Sequence, residues 1–140
     1  MEHPGAARSA GKRLVTAKNF EQALDEILKA AMDLLKADFG SIQFVDPASG
    51  GLRLVTQHGF DRDFVEGFVL VTAADGTPGS RALSSGRRVV VEDVEKDEAF
   101  APYRDAAAKA GYRAVEATPL LRDEDEVIGV LSTHFRSPRT

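Results

Sequence analysis

Apolar residues recur at helical spacing through Phe20, Leu24, Ile27, Leu28, Ala31, Leu34 and Leu35, with Asp25 and Lys29 paired on the outer side. The stripe predicts a helix over residues 20–37, opened by a capping box at Asn19 and Gln22 and stopped by Gly40. The period then shortens. Ser41 to Val45 and Leu52 to His58 are alternating or β-branched runs around Asp46-Pro47-Ala48-Ser49-Gly50-Gly51, the pattern of a hairpin. Asp61 can cap a short helix through Phe64 and Val65, after which Gly67 releases an apolar run, Phe68 to Val71, expected as an edge strand. Thr77 and Pro78 stand where a cap and a first helical residue belong, so a short helix is expected over 78–84, ended by Gly86. A strand over 88–91, a helix from near Pro102 closed by Gly111, and strands near 113–121 and 126–136 complete the pattern. Arg122-Asp123-Glu124-Asp125 joins the last two.

Strand and helix do not alternate strictly, as they do in a parallel α/β fold, so an α+β fold with a mixed or antiparallel sheet is expected. Residues 1–13 are small, polar and basic without periodicity and read as a flexible tail or the frayed start of a helix. Residues 14–136 form the domain, and 137–140 lead out of it.

Composition narrows the class. The chain has 140 residues, 43% apolar and 29% charged, enough for one domain with its own core. No apolar run approaches the roughly 20 residues that cross a bilayer, and no signal-like segment precedes Leu14, so a cytoplasmic protein without a membrane span is expected. The net charge is −4 and the basic residues are scattered, against a nucleic-acid footprint. Cysteine is absent, which removes disulfides, thiolate metal sites, thiol nucleophiles and thioether attachment of a chromophore.

Candidate chemistry gathers near the carboxy end. In the last strand Ile128, Val130, Ser132 and His134 fall on one face, opposite Gly129, Leu131, Thr133 and Phe135. Polar groups on a largely apolar strand cost free energy unless they bond to each other or to a ligand. Ser132 and His134 are therefore ligand candidates; a histidine bonded to a backbone carbonyl in a packed core is the alternative. The helix beginning at Pro78 can aim backbone N–H groups at an anion such as a nucleotide or a carboxylate, with Gly76 and Gly79 allowing close approach. It lacks the lysine and spacing of a phosphate loop, and plain capping accounts for the same residues. His3, His58 and His134 have no paired metal-ligand spacing, and no metal site is expected. No GxSxG elbow accompanies Ser132 and His134, so a hydrolytic triad is rejected.

The ordered set Asp38-Phe39-Gly40-Ser41-Ile42-Gln43, Gly86 to Val94 with Phe100, Thr118-Pro119-Leu120 and Gly129 to Phe135 resembles a GAF domain, a small-molecule-sensing module of bacterial signalling proteins. The resemblance implies a PAS-related central antiparallel sheet of about six strands with helices on both faces, and a ligand pocket under short helices and loops. It implies a non-catalytic regulatory module, such as the input of a histidine kinase in a two-component system, binding an unidentified small molecule and pairing as a homodimer through its terminal helices. A ligand-free assembly module is the alternative. Asp93, Phe100 and Tyr103 would flank the pocket, the aromatics as a lid; Phe100 as a core residue and Asp93 as the cap of an exposed turn after the strand are the alternatives. His134 matches a histidine that touches the bilin in phytochrome-like relatives, and Asp75 stands near their pocket aspartate, although Gly76-Thr77 follow it here and aspartate before glycine is also ordinary turn chemistry. Covalent bilin and cysteine-based methionine-sulfoxide reduction are excluded without a cysteine. The Asn-Lys-Phe-Asp-Glu signature of cyclic-nucleotide binders is missing. Haem held by His134 or His58 would follow the pattern of a few relatives.

Overall fold

The computed structural model describes residues 6–67, 70–71 and 76–139. Its elements run α1 (Ala6–Leu35), β1 (Phe39–Val45), β2 (Leu52–His58), α2 (Arg62–Gly67), β3 (Leu70–Val71), α3 (Pro78–Ser85), β4 (Val89–Val91), a 3₁₀ turn (Glu98–Tyr103), α4 (Arg104–Ala110), β5 (Ala114–Arg122) and β6 (Glu126–Phe135). The strands form one six-stranded sheet in the order β3-β2-β1-β6-β5-β4, with every neighbouring pair antiparallel. The α+β class, the antiparallel sheet and the edge position of the third strand agree with the sequence pattern.

Two expectations at the first helix are corrected. Residues 6–13, expected as a tail, are helical, and Asn19 lies inside α1 rather than at its start. Ala6, Ala7, Ala10, Lys12 and Arg13 are strong helix formers, and their summed preference overrides the local capping signal at Asn19. At the other end the stop is not Gly40 but Lys36, whose φ of 58° is left-handed. The Ala37 N–H there donates to Met32 O at 2.9 Å and closes the helix.

Gly40 serves a different purpose. A Cβ at this position would come within 2.8 Å of both Leu28 Cδ1 and Met32 Sδ. Its bare backbone is what lets α1 lie close on β1. Leu24, Leu28 and Ile42 make the buried cluster between helix and sheet, with Met32, Phe44, Val55, Leu120 and Leu131 packed around it.

The opposite face holds the rest of the core. Phe39, Val91, Val94, Phe100, Ala107, Tyr112 and Val115 form one cluster, and Leu52, Ala82, Ala117 and Val130 another under α3. The helix expected from Pro102 is split here. Asp97 caps a 3₁₀ turn, accepting from Phe100 N–H at 3.0 Å, and α4 proper starts at Arg104. Gly111 ends it at φ 99°, a backbone state that costs an L side chain roughly 1–2 kcal/mol.

Candidate functional site

A hollow lies between the sheet and the short helices on the face away from α1. Strand alternation decides what points into it. Along β1, Ser41 and Gln43 face the hollow while Gly40 and Ile42 face α1; along β6, Ser132 and His134 face it. Pairing places Ser41 directly across from Ser132, and His134 between Phe39 and Val115. The roof comes from Phe60, from Phe64 of α2, from Thr77, Pro78 and Gly79 at the start of α3, and from Phe100 and Tyr103 of the 3₁₀ turn.

Aromatic rings fix the imidazole. His134 meets Phe60 edge-on at 4.8 Å and Tyr112 at 4.6 Å between ring centroids. Phe60 in turn stacks on Phe39 at 4.9 Å and Phe64 at 4.3 Å. Such pairs contribute about 0.5–1.5 kcal/mol each beyond their buried area. His134 is only 8% exposed, and burial pushes its pKa down to about 3, so it is neutral at physiological pH. Burial likewise pushes the Tyr112 hydroxyl up, keeping it protonated. His134 Nδ1 is buried with no hydrogen-bond partner among the described residues. An unpaired polar group of this kind costs about 1–3 kcal/mol, and a polar ligand atom or a water would remove that cost.

The N-terminus of α3 is built to stay in place. Thr77 Oγ1 accepts from Ser80 N–H at 3.2 Å and its hydroxyl lies 2.9 Å from Ser80 Oγ, with Pro78 pre-setting the first turn. Arg81 anchors the same helix from outside, both guanidinium nitrogens reaching Asp97 at 3.0 and 3.2 Å. Among the described residues, no Asp, Glu, Lys or Arg lines the hollow. Those residues offer neutral donors and acceptors and the start of α3 for recognition.

Of the candidates read from sequence, Ser132, His134, Phe100 and Tyr103 lie together on the hollow. Asp93 does not. Its carboxylate binds Arg113 through two guanidinium nitrogens, at 2.9 Å to Nη2 and 3.2 Å to Nε, and accepts the Glu95 N–H at 3.0 Å. The Arg113 hydrogen bond holds its pKa below the usual carboxylate range. Asp93 thus fastens a loop to the start of β5, and its expected place beside the pocket is corrected. Asp75 lies outside the described residues. His58 pairs with Gly40 and sits on the α1 side, where its Nε2 is 2.7 Å from Asp25 Oδ1, too bent for a hydrogen bond. It shares no space with His134. Among the described residues no group of three or more His, Asp or Glu is placed to hold a metal ion.

Sequence reading missed Ser41, Gln43, Gln57 and Thr77. For Ser41 and Gln43 the signal was present, since polar residues two apart in an apolar strand repeat the logic of Ser132 and His134. Gln57 was hidden by a register shift between β1 and β2 at Ile42/Gln43, which upsets simple alternation.

A six-stranded antiparallel sheet with a long helix on one face and a hollow under short helices on the other defines the class of fold, a small α+β domain built on one sheet. The chain belongs to the GAF-domain family, whose family model matches residues 17–140. GAF domains are regulatory signalling modules. No curated protein sequence matches the chain. Among solved structures, the GAF domain region of a protein assigned to the membrane in Geobacter sulfurreducens PCA aligns with a TM-score of 0.77 at 21% identity, covering 91% of this chain and 83% of that one. A domain assigned to a two-component sensor histidine kinase of Sinorhizobium meliloti 1021 aligns with a TM-score of 0.64 at 21% identity, covering 86% and 75%. NreA of Staphylococcus aureus, mutated in its nitrate-binding site, aligns with a TM-score of 0.66 at 20% identity, covering 91% of each chain. These likenesses carry the fold. Among the described residues no helix is long and apolar enough to cross a membrane.

Proposed function

We propose that the chain is a non-catalytic, ligand-sensing GAF module, acting in the cytoplasm as the input of a histidine kinase or similar signalling protein. The observation that carries the reading is His134, neutral, buried and unpartnered at Nδ1 on the wall of a hollow. The NreA fold-mate, named for a nitrate-binding site, supports a ligand of small size. Among the described residues no Asp, Glu, Lys or Arg lines the hollow, and the chain has no cysteine.

The strands that wall the hollow also carry α1 on their other face. A ligand acts through α1 only by binding one helix arrangement better than another, with a typical coupling of about 1–3 kcal/mol. Native mass spectrometry of protein purified from cells tests the reading: a co-purifying small molecule is expected, and Ser132→Ala and His134→Ala should each weaken its retention. A ligand held equally well by both variants removes the site.

A second reading is favoured by one observation. Phe20, Ile27 and Leu34 recur every seven residues on α1 and are 52%, 54% and 83% exposed. A seam of this spacing suits pairing of two α1 helices in a homodimer, with or without a ligand.

A further inference from the structure

We infer that the hollow takes a small oxyanion, such as a carboxylate, held by neutral side-chain donors and the start of α3. The inference rests on the sensing reading above and names its ligand class.

Size sets the first limit. The hollow offers about 60 Å³ to the centres of water-sized spheres. At roughly 10–15 Å³ for each water so placed, this is room for a few waters or one ligand of about four to six non-hydrogen atoms.

Charge sets the second. A cation would meet no carboxylate among the described residues of the lining and would face the wrong end of α3. The α3 N-terminus carries partial positive charge, and its first residues, Thr77, Pro78 and Gly79, form part of the wall. The missing Cβ of Gly79 lets Gln43 pack against the start of α3, since a Cβ there would lie 3.2 Å from Gln43 Oε1. Opposite stands the second, independent feature. His134 is more than nine-tenths buried, lines the same hollow and lacks a partner at Nδ1. In its Nδ1–H tautomer the neutral ring donates a hydrogen bond to an anion without bringing a buried charge of its own. Ser41 and Ser132, side by side on the floor, add hydroxyl donors.

Pairs of molecules with the same shape and different charge test the inference. Acetate against acetamide, and nitrate against urea, are titrated into the purified chain by calorimetry at pH 7 and constant ionic strength. At least one anion should bind tenfold or more tighter than its neutral partner. Whether acetate or nitrate gives the larger ratio tells carboxylates from inorganic oxyanions. His134→Phe keeps the aromatic packing but removes the donor, and should cost the anion at least tenfold. Nitrogen-resolved NMR of His134 should show the proton on Nδ1, with its signal shifting when the anion is added. Equal or tighter binding of the neutral partners overturns the oxyanion class while leaving a sensing site in place. Absence of binding by all four, with no co-purifying molecule, overturns the sensing reading and this inference together.

Discussion

His134 ties stability to pH in a direction fixed by its burial. Its folded pKa of about 3 lies below the ordinary value of 6.5, so between these limits the unfolded chain binds a proton that the folded chain refuses. Stability is therefore full above pH 6.5 and falls as the pH drops, by up to about 1.4 kcal/mol per unit. Urea denaturation midpoints measured from pH 7.5 to 4.5 should fall steeply for the natural chain and much less for His134→Phe. The carboxylates with lowered values, Asp25, Asp46 and Asp93, act below this window. Matching slopes for the two proteins would show that the imidazole is charged in the fold. Residues of the hollow were legible where alternation along one strand decides orientation, as for Ser132 and His134. Asp93 was misplaced because its partner, Arg113, is 20 positions away, and a pattern read locally carries no information about such a pair.

Elements show the same division between local and distant causes. The second, fifth and sixth strands stand close to where alternation and turn residues put them, because those signals lie within the strand itself. The start of α1 and the split before α4 were not legible, since each depends on competition between neighbouring preferences. Lys36 pays for the end of α1 with a left-handed backbone. Lys36→Gly should raise stability by about 0.5–1 kcal/mol in urea denaturation, because glycine adopts φ 58° without a Cβ clash. Gly40→Ala should do the reverse, costing about 1–3 kcal/mol as the new methyl displaces Leu28 and Met32. A neutral Gly40→Ala would mean that α1 lies less tightly on the sheet than described. Leu28→Ala, which empties a fully buried position under the same helix, should cost about 2–5 kcal/mol by the same measurement.

At the scale of the whole molecule, the proposed pairing through α1 makes a prediction separate from ligand binding. Sedimentation should find a dimer for the natural chain and a monomer for the Ile27→Lys, Leu34→Lys double variant, whose melting as a monomer stays cooperative because both positions are exposed. A monomeric natural chain at high micromolar concentration would remove the assembly reading.

Ser41 and Ile42 are neighbours in β1, yet one looks into the hollow and the other anchors the helix. The two sides of the sheet are thus joined by a single peptide unit, the shortest wire a protein can offer. Ser41→Ala and Ile42→Val should for that reason fail to add in a double-mutant cycle, even though their side chains never meet. A designer who retunes the cavity floor is also, unavoidably, adjusting the seat of the helix behind it.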